Sequence, residues 1–224
     1  MSKTLVFDSS SLISLALNNL LWILKPLKEI YGGQFIIPDS VKHELVDVPF
    51  RTQRFKLEAM VIAKLIEDGV LTRADPIPFT DLSVLCNSVF SVREKSLTLV
   101  QEGELEALAV CLAYHADALV VDERTTRLFV EKPSLLQQLL QRKMRNDVIA
   151  HKELLRQLTD TLSEVHVFRS VELVCVAFEQ GFFDSYVGQE YSTKDLLEAL
   201  LWGLRLRGCS ITTGEIMTLL HHLG

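Results

Sequence analysis

Four acidic residues stand where chemistry could use them. Asp8 closes the apolar run Leu5-Val6-Phe7, and Asp122 closes Leu119-Val120-Val121. Glu44 lies on a short helical stretch that follows Gln34-Phe35-Ile36-Ile37, and Glu104 opens an Ala- and Leu-rich run over 104–113. Carboxylates brought together repel one another unless a cation neutralises them. An all-oxygen donor set of this kind suits Mg²⁺ or Mn²⁺. One or two such ions can turn water into a nucleophile and stabilise the charge of an in-line phosphoryl displacement. Each acid taken singly could equally be a helix cap or a solvated strand end.

Bringing these acids together requires a particular arrangement of elements. Three consecutive apolar residues at 5–7 suit a central strand covered on both faces. Ser9, Ser10 and Ser11 are good helix N-caps, so a helix should start there, leaving Asp8 at the C-terminal edge where open α/β sheets bind ligands. Residues 119–121 repeat the pattern. The acids before Leu105 sit in a first helical turn, where the helix dipole favours them. Strand, helix and strand again imply parallel pairing with right-handed crossovers. The expected fold is an α/β/α sandwich around a mainly parallel sheet of four or five strands. Further strands are expected at 34–37, 70–72 and 165–168. Helices are expected over 11–24, which Pro26 would end, 54–68, 79–99, and 171–180. Residues 124–164 read as wholly helical in two or three segments. After a polar link at 185–191, Ser192 and Asp195 form a capping box for a helix to about 207, and Thr212 or Thr213 caps a last one.

A chain of 224 residues that is 48% hydrophobic fits one large domain, or one domain plus a helical extension. No apolar run is long enough to span a bilayer, and the N-terminus lacks the pattern of a secretion signal, so a cytoplasmic location is expected. Cys86, Cys111, Cys175 and Cys209 are widely spaced with no CxxC, which argues against a zinc site and for buried free thiols. The net charge of −6 gives no global signature of nucleic-acid binding. The densest basic segment holds Arg124, Arg127, Lys132, Arg142, Lys143 and Arg145. It could steer RNA phosphates towards the acids, or be an ordinary solvated helix face. Helices 11–24 and 54–68 are more apolar than a monomer surface allows, so a homodimer is expected.

The order of these pieces resembles PIN-domain proteins, in particular the prokaryotic branch with a GExEA helix. The resemblance is carried by LVFDSSSLI at 5–13, IIPDSVKHEL at 36–45, GELEALAVCLAYHADALVVDERTTR at 103–127 and VHVFRSVELVCVAFEQGFF at 165–183. The run LLEALLWGLRLRGCSITTGEIMTLL at 196–220 is similar to that branch's closing helices. The resemblance implies a 5′-nuclease-like fold and divalent-metal-dependent cleavage of RNA, leaving 5′-phosphate and 3′-hydroxyl ends. It implies that Asp8, Glu44, Glu104 and Asp122 are the acidic quartet, and that Ser10 hydrogen-bonds a ligand carboxylate. Glu106 and Glu123 are then neighbours able to touch the ion or its ligands, and Arg127, with Arg124, contacts phosphate. It also implies a toxin-like role with an antitoxin partner. The domain is expected to span 1–184, with a helical insertion around 130–162 longer than the family's usual connection, and 185–224 as a C-terminal helical extension. The competing reading is a non-catalytic PIN-fold module that holds RNA or protein. A phosphatase is disfavoured because no DxDxT-like motif follows the first strand.

Overall fold

Leu5, Val6 and Phe7 are almost completely buried, as a strand covered on both faces must be. The computed structural model describes residues 3–224. The chain begins with β1 (Thr4–Phe7) and α1 (Ser9–Leu17), then a 3₁₀ turn at Leu21–Ile23 leading into α2 (Leu24–Tyr31). Next come β2 (Gln34–Ile37), α3 (Asp39–Lys42), a π turn at His43–Asp47, α4 (Val48–Phe50) and α5 (Lys56–Glu67). The middle of the chain holds β3 (Thr72–Arg73), α6 (Thr80–Cys86), β4 (Phe90–Val92), β5 (Lys95–Ser96), α7 (Glu102–Ala113) and β6 (Ala118–Val120). It continues through α8 (Arg124–Glu131), α9 (Pro133–Met144), β7 (Ile149–Ala150), α10 (Lys152–Thr161) and β8 (Val167–Phe168). It closes with α11 (Ser170–Glu179), α12 (Thr193–Leu206) and α13 (Thr213–Leu223).

The central sheet has five strands, all parallel, in the order β3-β2-β1-β6-β8. The chain moves outward from β1 to β2 and β3, then returns to the other side of β1 for β6 and β8. The topological switch point therefore lies between β1 and β6, where open α/β sheets form their ligand crevice. Alternate strand residues face opposite layers. Leu5, Phe7, Phe35, Ile37, Ala118 and Val120 join one core, with side chains of α1, α2, α5, α11, α12 and α13. Val6, Ile36, Leu119 and Val121 join the other, with side chains from α6 to α10. This is the expected three-layer α/β/α sandwich. The C-terminal pair is no loose appendage: Leu197, Leu201, Leu204, Ile216 and Leu220 belong to the same core as Phe7.

Several local expectations differ from the structure. The helix expected over 11–24 stops after Leu17, because Asn19 turns left-handed with φ 56°. Pro26 does not end a helix but sits in the first turn of α2, where its missing N–H costs nothing. The apolar character of 11–24 is also accounted for within the chain, since Leu12, Leu15, Leu20, Leu21, Ile23 and Leu24 are all buried. The stretch 79–99 is helical only over α6. It then forms an antiparallel hairpin, β4 with β5, whose turn puts both Arg93 and Glu94 at positive φ. The segment 124–164 is not wholly helical either: β7 pairs with β4 to complete a small sheet ordered β5-β4-β7. All four cysteines are buried free thiols. Among the described residues no single helix is long and apolar enough to cross a membrane.

Candidate metal centre

Asp8 is placed by three local features. β1 ends beside β6, and the Asp8 N–H donates to the Val120 carbonyl at 3.0 Å. Asp8 is also the N-cap of α1, its Oδ2 accepting from the Ser10 N–H at 3.0 Å and the Ser10 hydroxyl at 2.6 Å. Ser11 Oγ donates to both the Asp8 and Val120 carbonyls, pinning the two strand ends together. The carboxylate is only 3% exposed. Burial pushes its pKa up, the Ser10 bonds oppose that, and the charge of Glu44 adds to the rise.

Glu104 sits at the third position of α7, where its Oε2 accepts from the Gln101 N–H at 2.7 Å and closes the helix start. Burial drives its pKa up to about 6. The bond from Gln101 opposes this, while the charges of Asp8 and Glu123 reinforce it. The buried Thr126 hydroxyl makes no full hydrogen bond, yet lies close enough to Glu104 to ease its charge slightly. Glu123 follows β6 and is the N-cap of α8, with Oε2 accepting from the Thr126 N–H at 2.7 Å. Glu44 falls within the π turn, which shifts the helix register just where the chain passes Asp8; π turns recur at functional sites for this reason. Glu44 is exposed, and also lines an apolar cleft of about 390 Å³ with Ile13, Leu45, Val48, Phe55 and Ile62.

Asp122 occupies a different environment from its neighbour Glu123. It is fully buried, and both oxygens are engaged by one residue: Oδ1 accepts from the Ser170 N–H at 2.7 Å and Oδ2 from the Ser170 hydroxyl at 2.6 Å. Its own N–H donates to Ser10 Oγ at 3.0 Å. Asp122 thus links β6 to the start of α11 and, through Ser10, to Asp8. Among the expected quartet, the charge of Glu44 acts on Asp8 and the charges of Asp8 and Glu123 act on Glu104, while Asp122 connects to Asp8 through Ser10.

The remaining expected residues are also placed. Ser10 bridges Asp8 and Asp122. Glu106 accepts from the Ser40 N–H at 2.9 Å, tying α7 to the start of α3. Arg124 is exposed. Arg127 is mostly buried, 3.9 Å from Glu131, and its Nε has no hydrogen-bond partner among the described residues. Sequence reasoning missed Ser170 and Arg169. A serine opening a helix reads as an ordinary cap, and nothing local marks it as the partner of Asp122. Arg169 is 9% exposed; it binds Glu172 at 2.5 Å, Glu215 at 2.9 Å and the Ser210 carbonyl at 3.2 Å.

Asp8, Glu44, Glu104 and Glu123 offer only oxygen, the donor a hard divalent cation takes, and burial disfavours the anionic form of Asp8 and of Glu104. Glu104 and Glu123 each have only one oxygen tied to backbone among the described residues. Among the described residues no group of three or more His, Cys, Asp or Glu side chains is placed to hold a metal ion. Magnesium does not require such a group, because it keeps several waters and is commonly held by one or two carboxylates plus substrate phosphate.

The five-stranded parallel sheet with helices on both faces is a three-layer α/β/α fold. The PIN domain family model matches residues 4–172, more than half of the chain, and the protein belongs to that family. Members of the family are generally nucleases and typically use divalent metals. No curated protein and no solved structure matches the chain.

Proposed function

We propose that the protein is a Mg²⁺- or Mn²⁺-dependent endoribonuclease. What supports this reading is membership of the PIN-domain family together with the charge that Asp8 and Glu123 exert on Glu104, and Glu44 on Asp8, at the C-terminal edge of the sheet. The bound ion supplies Lewis acidity and a nucleophilic water for phosphodiester hydrolysis. Asp8 and Glu104 bind it, Glu44 and Glu123 complete the acidic rim, and Asp122 holds Ser170 and Ser10 in place. Ser10 orients the Asp8 carboxylate. Arg124, exposed beside Glu123, is placed to meet a phosphate; Arg127 is drawn towards Glu131 and supports α8. Burial limits the solvation of the Asp8 and Glu104 carboxylates, which favours their neutralisation by a cation from solution.

A protein partner is part of the proposal. Val48, Phe50, Phe55, Leu57, Met60 and Val61 are all exposed large apolar residues around α4 and α5. A patch of this kind suits a second copy of the chain or an antitoxin. A cytoplasmic setting is proposed with it. The second reading, a PIN-fold module that binds without cutting, is favoured by the complete engagement of Asp122 with Ser170. The test is cleavage of end-labelled RNA with Mg²⁺ or Mn²⁺ by the protein and by Asp8→Asn. Loss of about 100-fold or more is expected in the variant. Equal cleavage by both overturns the reading, and no cleavage by either, with no metal bound, favours the second.

A further inference from the structure

Two arginines far from the acids stand on backbone that L residues adopt reluctantly. Arg145 ends α9 in the left-handed region with φ 51°, where glycine or asparagine is the usual choice. Arg93 sits in the β4–β5 turn with φ 48°, followed by Glu94 at φ 65°, where Asn-Gly is the favoured pair. The two turns are side by side. Ser91 of β4 pairs with Ile149 of β7, and Arg93 Nη2 donates to Asn146 Oδ1 at 3.2 Å. The Asn146 amide is itself fixed on the Met144 carbonyl at 2.9 Å. Strained backbone persists only where its surroundings over-determine it, and such positions cluster at functional surfaces.

These turns bring five cations together in a protein of net charge −6. Arg93, Lys95, Arg142, Lys143 and Arg145 are all exposed, and Glu94 and Asp147 are the acids in the same two turns. None of the five cations joins an ion pair among the described residues, although Lys42, Lys64, Arg73 and Arg156 elsewhere do. The last turn of α9 gains from Arg142 and Lys143 through the helix dipole. That accounts for neither Arg93 and Lys95 on a hairpin nor for an arginine at the left-handed residue. A shallow concavity at the end of α9 is lined by Gln141, Arg142, Arg145, Asn146 and Asp147, all of them polar or charged residues. The exposed large apolar residues here are Met144 and Ile149, short of the continuous apolar face with which an amphipathic helix enters a membrane surface. Guanidinium forks beside amide groups suit phosphate oxygens.

We propose that the α9 end and the β4–β5 hairpin form a sequence-independent docking surface for the RNA backbone, separate from the acidic crevice. The choice of RNA rests on the ribonuclease reading above. α8 and α9 then act as the arm joining the two sites, since Glu123 starts α8 and α9 follows directly. The surface anchors a strand away from the acids while another part of the same molecule enters the crevice.

The test is fluorescence anisotropy of a labelled single-stranded RNA against salt, in EDTA and in the Asp8→Asn background, so that cleavage plays no part. Arg93→Asn and Arg145→Asn remove charge while placing a residue suited to positive φ, so both variants are expected to fold with an unchanged or higher melting temperature. Each is expected to weaken binding of unrelated RNA sequences alike, and to reduce the slope of log K against log salt by about 0.7. Lys64→Ala, which breaks an existing ion pair, is the control expected to leave the slope unchanged. Unaltered affinity and slope in the double variant overturn the proposal, as does loss of binding only to phosphatidylserine vesicles. A protein that binds RNA through this surface but never cleaves it defeats the nuclease reading alone; one that cleaves with an unchanged salt slope defeats the docking surface alone.

Discussion

Glu172 and Glu215 face a guanidinium, while Asp8, Glu104 and Glu123 face one another. The two acid clusters are joined through Ser170, yet they have opposite electrostatics. Burial pushes the Glu215 pKa up, but hydrogen bonds from Thr212 and the charge of Arg169 outweigh it and hold the carboxyl down to about 2. Glu104 is half-buried beside the charges of Asp8 and Glu123, and rises to about 6. One cluster contains its own counter-ion. The other, in the reading proposed above, takes its positive charge from a metal in solution.

The largest expected effect comes from opening the closed cluster. Arg169→Met leaves two glutamates without their cation and the Ser210 carbonyl without its donor. Removing one partner of a mostly buried ion pair costs about 3 kcal/mol. The glutamates are 40% and 39% exposed and can re-solvate, which places the loss at or below that figure. Urea denaturation reads it, and a change under about 0.5 kcal/mol would show that the network is not holding the C-terminal helices.

Filling the open cluster is the next test. Mg²⁺ or Mn²⁺ at one hundred times its dissociation constant is expected to stabilise the protein by about 2.7 kcal/mol. A thermal shift measured at constant ionic strength should show it, and Glu104→Gln should diminish it. A shift equal in wild type and variant removes Glu104 from the site.

The clusters should also respond oppositely to acid. In metal-free protein, the raised Glu104 pKa costs folding in full above about pH 6, and that cost vanishes as pH falls to its ordinary value of 4.5. The gain is about 2 kcal/mol, and Glu104→Gln should abolish it. The depressed Glu215 pKa contributes stability that is complete above about 4.5 and is lost as pH falls towards about 2. Urea midpoints should therefore rise from pH 7 to 4.5 and fall below it. A monotonic decline across both windows contradicts the contrast.

The smallest expected difference separates the two acids after β6. Asp122→Asn cannot accept from both the Ser170 N–H and hydroxyl, and is expected to cost about 2 kcal/mol. Glu123→Gln should leave stability nearly unchanged and instead weaken the metal-induced shift. The reverse pattern would exchange their roles.

Much of the fold was legible because local and long-range signals agreed. The apolar runs ending in Asp8 and Asp122 could only be buried strands, and Thr212 caps α13 as its sequence indicates. The hairpin at 90–96 was hidden because its turn uses Arg93 and Glu94 in place of asparagine and glycine. The break at Asn19 and the π turn at Glu44 change direction without proline or glycine to announce them. Within the site, spacing identified acids at both strand tips. It could not say which of Asp122 and Glu123 turns towards Glu104, because that depends on Ser170, a residue distant in the chain. The Arg169–Glu215 pair was invisible for the same reason.

The hydrogen bonds at the crevice form a single path: Glu215 to Arg169, on to the adjoining Ser170, then Asp122, Ser10 and Asp8. Its ends, Asp8 and Glu215, are 207 positions apart in the sequence. A nascent chain leaving the ribosome therefore carries Asp8 through the synthesis of all the residues between before the final link of that path exists.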